Sequence, residues 1–384
     1  MTNTVPHPTV EFQPLLFSAK GKEELSRCCI FPVTEEHEIL AATIKIAEPK
    51  LPFSLDRLQP ERRTGRKPYP IHTFFRFQLA MPIFRQSTFK DMRKLLFIDN
   101  NLKALCGFEC IPSEATFSRY LKILSENISM DYDVLRPMNE TFFPRDEGEF
   151  IIHVCRDSTA IPARETVAKK PPKDKGPPKK RGRKKKGSQE EKEYLERDKR
   201  TVIEKQVTQP LEEAFSHLNT ECSWSGKRNS QGKTSFWRGY KLHLDTTDTG
   251  IPLSYVVTGA NVHDSQVAIP LEKMTQLRVR HFYSLMDSGY YAGVIQNFID
   301  DTGRVALIDP AKRIGSVPFC PAKKHRYKIR TTVERANAHL KDWLIPKNLC
   351  IRGHKKMDFV LGCAVVALAV AQMRFLLQER QKTA

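Results

Sequence analysis

The sequence predicts an α/β fold: a mixed five-stranded sheet flanked by helices, preceded by an all-helical N-terminal domain and carrying a basic disordered insertion after the first strand. Three observations predict it. Residues 34–126 read as helices separated by Pro and short polar turns. From residue 149 short apolar runs alternate with helical stretches. Between the first two of those runs lies a Lys/Arg-rich interruption with nothing to bury. The expected organisation is a tail over 1–33, a helical domain over 34–145 expected to bind DNA or to dimerise, and an α/β domain over 146–378 with an insertion at 163–235.

In the helical part, Ile71–Phe84 is apolar on most faces, as a helix inside a bundle must be. Thr88–Ile98 sets basic against apolar positions at helical spacing, with Thr88 and Asp91 as a capping pair, and Ser113–Ser125 follows Pro112 with Ser113 as N-cap. Lys90, Arg93, Lys94, Arg119 and Lys122 on the two later helices suit either a helix-turn-helix on DNA or the solvated faces of a plain bundle.

In the α/β part, Phe150–Cys155 is a short apolar run ending in Arg156-Asp157, and Trp237–Leu244 alternates with period two. Pro252–Gly259, His281–Met286 (followed by Asp287) and Val305–Ile308 complete five strands, with helices expected at Ser265–Leu277 and Gly289–Ile299. The interruption contains 169–186, with eleven Lys/Arg, one Asp and four Pro, a net +10. Such a segment forms no core and reads as a disordered basic arm. Within it Lys180, Arg181, Arg183 and Lys184 are candidate DNA contacts, through phosphates or, for the Arg-Gly-Arg step, an A·T-rich minor groove.

Charge and composition narrow the function class. With 63 Lys+Arg against 44 Asp+Glu the chain is +19, which points to a polyanion, nucleic acid before membrane. The run Phe359–Ala371 is shorter than the roughly 18–20 residues of a membrane span and reads as a buried terminal helix. No secretory signal reads at the start, nine cysteines show no C-x-x-C spacing, and no ATP motif appears, so an intracellular protein without disulfides or a nucleotide cofactor is expected.

The chemistry concentrates in Arg326–Trp343. At about 100° per residue, Tyr327, Arg330, Glu334 and Lys341 share an arc of about 60°, while Ile329, Val333, Ala336, Leu340 and Trp343 form the opposite, buried stripe. Asp157 and Asp287 each follow an apolar strand, where a sheet delivers a side chain to its rim. Two such aspartates and a glutamate on a covering helix would supply hard oxygen ligands for two Mg²⁺. Asp264 sits where a helix begins and reads as its N-cap in preference to a metal neighbour.

Tyr327-x2-Arg330-x3-Glu334-x6-Lys341 resembles the YREK signature of bacterial insertion-sequence transposases of the DDE class, and Asp157-Ser-Thr and Met286-Asp287-Ser-Gly-Tyr resemble their first and second catalytic aspartates. Residues 66–125, with Cys106-Gly107-Phe108 and Pro112–Ser118, are similar to the helical N-terminal domain of these enzymes. The resemblance implies an RNase H-like fold and cut-and-paste movement of DNA. It implies a catalytic, metal-binding triad Asp157, Asp287 and Glu334, with two Mg²⁺ that Mn²⁺ can replace. Tyr327, Arg330 and Lys341 would grip phosphates and a displaced base. The implied partners are duplex DNA, as terminal inverted repeats and target, and a second copy of the chain on that DNA, in a bacterial cytoplasm at the nucleoid. The alternatives are a non-catalytic DNA-binding relative and an RNase H-like nuclease.

Overall fold

A computed structural model describes residues 33–61, 67–144, 150–167, 200–228, 231–310, 317–347 and 349–383. Nearly all of the expected tail, and the segment 169–186 with Lys180, Arg181, Arg183 and Lys184, lie outside the described residues.

The N-terminal region is helical: α1 (Glu35–Ala47), α2 (Ile71–Ile83), α3 (Phe89–Ile98), α4 (Asn100–Cys106), α5 (Glu114–Asn127), a π-helical turn (Met130–Leu135) and α6 (Arg136–Phe142). Helix α2 is buried on nearly every face, and Phe74 and Phe77 stack on Tyr120 and Phe117 of α5. Thr88 caps α3 as expected, its hydroxyl accepting from the Asp91 N–H at 3.1 Å and donating to the Asp91 carboxylate at 2.6 Å. Ser113 stands at the N-cap of α5 but its side chain accepts no backbone N–H; it meets Thr116 Oγ1 at 3.1 Å instead.

The α/β part runs β1 (Ile151–Pro162), α7 (Val202–Thr208), α8 (Leu211–Ser216), β2 (Ser223–Arg228), β3 (Thr234–Thr247), β4 (Pro252–Gly259), α9 (Ser265–Arg278), β5 (His281–Met286), α10 (Gly293–Asp301), β6 (Val305–Ile308), α11 (Pro321–Tyr327), a 3₁₀ turn (Lys328–Arg330), α12 (Thr331–His339), a π-helical turn (Leu340–Leu344) and α13 (His354–Thr383). Strands β3, β1, β5 and β6 lie side by side, β1 antiparallel to β3 and parallel to β5, β5 parallel to β6. Both β4 and β2 pair with β3 antiparallel, over its residues 240–246 and 234–239 respectively.

All five expected strands are present, and among the described residues the sheet has six. The added β2 belongs to the expected insertion: its sequence, Ser-Trp-Ser-Gly-Lys-Arg, is short and largely polar, and it is a strand because β3 reaches back to Thr234 to pair with it. The insertion therefore contributes two helices and a strand among its described residues. Strand β1 also outruns its apolar stretch, because the fold satisfies its polar side chains. Arg156, fully buried, bonds Asp245 at 2.6 and 2.7 Å and Glu272 at 3.0 Å. Glu272 in turn accepts from His281 and Ser284.

One apolar core runs from α1, α2 and α5 through α13 to β3 and β4. Helix α13 supplies its axis: residues 359–370 are buried, packed against α1, α2, α5, β4 and the turn at 130–135. By length and composition alone this helix is long and apolar enough to cross a membrane, but most of its apolar window is buried inside the protein. At Gly362 the crossing is so close that a Cβ would stand 2.4 Å from Met130 Cβ and 2.2 Å from Tyr255 Oη.

Candidate active site

The sheet sets the two aspartates level. The parallel register pairs Cys155 with Leu285, an offset of 130 that, carried two residues on, places Asp157 beside Asp287. Asp157 is not at the end of β1, as expected, but inside it, opposite Leu244 of β3; it reaches the rim because β5 stops at Met286. Asp287 turns the chain out of β5, accepting the Gly289 N–H at 2.9 Å. Asp309 occupies the equivalent place after β6, its N–H bonded to Met286 O at 3.1 Å.

The segment 321–344 covers this rim as a helical path of changing pitch, α, 3₁₀, α and then π, not the single regular helix expected for 326–343. Val333, Ala336 and Leu340 are buried as their spacing predicts. Trp343 departs from that stripe, at 50% exposed. The wider π turn carries it off the buried face, and the Arg85 guanidinium lies 4.2 Å over its ring.

On the rim side the path carries Tyr327, Arg330, Glu334 and Lys341. Tyr327 donates its hydroxyl to Met286 O at 3.0 Å, tying the path to the residue before Asp287. Arg330 bonds Glu334, and its Nη1 stands 3.8 Å from Asp157 Oδ1. Asn337, which the sequence reading missed, donates to Asp157 Oδ2 at 3.0 Å. Glu334 is 49% exposed at its side chain against 21% for Asp157. Lys341 is exposed, and desolvation together with the charge of Lys227 holds its ammonium below the usual lysine range, with Asp157 opposing.

Burial pushes the Asp157 carboxyl up to about 6, against the pull of Arg330 and with the help of Asp287. Burial also raises the Asp287 carboxyl, against its bond from Gly289 and reinforced by Asp264. Asp264 overturns the N-cap expectation. Its backbone is already helical (φ −58°, ψ −36°) and its side chain caps nothing; it turns instead to Lys241 Nζ at 2.9 Å. Burial drives its carboxyl up, but His243, Lys241 and Ser158 outweigh that and hold it below the ordinary range. A Cβ on Gly289 would lie 3.1 Å from Asp287 Oδ1 and 3.5 Å from Asp264 Oδ2, so the two carboxylates flank the same glycine. His263 bonds Ser265 and lies outside this cluster's hydrogen bonds.

A family model described as the transposase DDE domain matches residues 148–368, more than half of the chain. The chain belongs to the DDE transposase family. No curated protein and no solved structure matches it. The helical N-terminal region, the open mixed sheet and its flanking helices are the architecture of an RNase H-like transposase domain. Transposases act on DNA as enzymes of the nuclease kind, and DDE domains in general use divalent metal ions.

The donor set of this transposase suits such an ion: carboxylate oxygens, two of them on aspartates that burial holds above their usual range. Among the described residues, however, no three carboxylate, imidazole or thiol side chains stand close enough to hold a metal. The guanidinium of Arg330 supplies the positive charge in this arrangement, bonded to Glu334 and near Asp157.

Proposed function

We propose that this transposase is the cut-and-paste enzyme of a bacterial insertion sequence. It cleaves duplex DNA at the element's terminal inverted repeats and joins the freed 3′ ends to target DNA, working as a homodimer assembled on DNA in the cytoplasm, at the nucleoid, with no nucleotide cofactor. The observation that supports the reading is the register that carries Asp157 and Asp287 to one level on adjacent parallel strands, with Arg330 of the covering path bonded to Glu334 and 3.8 Å from Asp157.

Asp157, Asp287 and Glu334 would hold two Mg²⁺, or Mn²⁺ in their place, once Arg330 gives up Glu334; such ions would activate the attacking oxygen and stabilise the leaving one. Asn337 fixes the Asp157 carboxylate through its 3.0 Å bond to Oδ2, leaving Oδ1 on the side of Arg330. Arg330 leaves the carboxylates for the scissile or flanking phosphate, to which its planar fork is suited. The Tyr327 hydroxyl, held by Met286 O, fixes its ring beside the rim, and Lys341 adds a point charge at the side of Asp157. The basic arm with Lys180, Arg181, Arg183 and Lys184 adds affinity for DNA by releasing counterions.

The test is cleavage of duplex DNA bearing the element's own terminal repeats, with and without Mg²⁺. Glu334→Gln and Asp157→Asn should each abolish cutting while end binding stays nearly intact. Undiminished cutting by either variant overturns the site assignment. Cleavage without joining of a pre-cut end would reduce the protein to a nuclease.

A further inference from the structure

A cavity of about 380 Å³ lies between the helical region and the α/β part, and none of Asp157, Asp287, Glu334 or the residues of the covering path lines it. Its volume falls within the roughly 300–1,000 Å³ of small-molecule sites. The walls are largely apolar, from Leu211 and Phe215 of α8, Val256 of β4, and Met274 and Leu277 of α9. Leu277 is exposed, as is Tyr132 of the π-helical turn, so the cavity reaches the surface.

The lining cations are already engaged. Arg278 donates through Nη1 to Asp131 at 2.9 Å, and Asp131 also accepts the Tyr255 N–H at 3.2 Å. Arg136 bonds Glu140 at 2.8 Å and lies 5.0 Å over the Tyr132 ring. His354 donates through Nε2 to Val257 O at 2.8 Å, and burial holds its imidazole below the usual range. Asp358 of α13 differs. Its backbone oxygen accepts the Tyr255 hydroxyl at 3.4 Å, but among the described residues its carboxylate makes no hydrogen bond or ion pair. Burial pushes that carboxyl up to about 7, and the charge of Asp131 adds to the rise. Glu212, on the exposed side of α8, is a further acid in the lining. The unmatched charge of this cavity is therefore negative, in a chain whose net charge is +19.

We propose that this cavity binds a small amphiphilic cation, a primary ammonium paired with the Asp358 carboxylate and carried on an apolar body laid against Leu211, Phe215 and Met274. A desolvated carboxylate without a partner is costly, and an ammonium supplies both the opposite charge and the hydrogen bonds it lacks. An anion would find no free cation, since Arg136 and Arg278 are taken. A hard metal ion asks for several oxygen ligands, where these walls offer hydrocarbon. A neutral apolar molecule would leave Asp358 unpaired. Because the π-helical turn, α8 and α13 all line the cavity, its occupant would fasten the insertion's α8 to the helical region. The site shares no residue with the proposed metal triad, so it is independent of the cleavage reading.

The experiment titrates the full chain at pH 8 with hexylammonium, 1-hexanol and methylammonium, read by ligand-observed NMR. Hexylammonium should bind at least about tenfold more tightly than 1-hexanol, as a charge-assisted bond gives. It should exceed methylammonium by at least about tenfold as well, because its chain fills the apolar walls. Asp358→Asn should lose about tenfold in affinity for hexylammonium while 1-hexanol binds as before. Leu277→Trp, at an exposed position, should occupy the cavity and weaken both ligands, and it decides the matter if Asp358→Asn does not fold. No binding of hexylammonium, equal binding of amine and alcohol, or an amine affinity unchanged in either folded variant overturns the proposal. So does tighter binding of Nα-acetyl-lysinamide than of hexylammonium, which would make the cavity a socket for a partner's lysine.

Discussion

Arg330 Nη1 stands 3.8 Å from Asp157 Oδ1 while the same guanidinium bonds Glu334, so one side chain neutralises two of the three acidic groups. On the proposed metal role, metal and arginine compete for the same oxygens. Arg330→Gln should bind Mn²⁺ without DNA about tenfold more tightly than the parent, a gain of about 1.4 kcal/mol. Electron paramagnetic resonance of free Mn²⁺ during titration reads it directly, and unchanged affinity would refute the competition.

Asp157 ionises at a cost. Its carboxyl is raised to about 6, so the folded state prefers it protonated; that preference favours folding fully below pH ~4 and is lost as pH rises through about 6. Asp157→Asn removes the penalty and should be more stable than the parent at pH 7, by about 1–3 kcal/mol, and no more stable at pH 4. Urea midpoints at the two pH values test this; a destabilised variant at pH 7 contradicts it.

Asp264 has the opposite sign. Lys241, at 2.9 Å, and His243 hold its carboxyl low, so its contribution is present above pH ~4 and lost as pH falls below that. Asp264→Ala leaves the mostly buried Lys241 ammonium with Val262 O alone and should cost about 1–3 kcal/mol at pH 7. At pH 3 parent and variant should differ little by thermal melting.

Gly362 leaves no room for a methyl group between α13, Met130 and Tyr255. Gly362→Ala should destabilise by about 1–3 kcal/mol or shift the helix, and calorimetry compares it with the parent. A melting temperature equal to the parent's would mean that the crossing gives way without strain.

Much of the fold was legible because its apolar runs are strong: each expected strand ends near a turn residue, and Asp157 and Asp287 stand out by following such runs. The rule that found them also applies to Asp309 after Val305–Ile308, and was not carried that far. What stayed hidden depends on tertiary partners. Strand β1 runs on through Arg156 and Asp157 because Asp245 and Glu272 accept the guanidinium, and β2 exists by pairing with β3. Asp264 has an N-cap's place in sequence, yet a helical φ and ψ free its side chain for Lys241. Trp343 fits a buried stripe only while the helix keeps 3.6 residues per turn, which the π turn ends.

Helix α13 is wrapped by α1, α2 and α5 on one part of its surface and by β4 on another. Strip away the front of the chain and this apolar rod would be left as a sticky cylinder, so the catalytic sheet is no free-standing cassette. The forward helices and the sheet that bears the carboxylates form one lever without a joint, its angle set when the polypeptide folds.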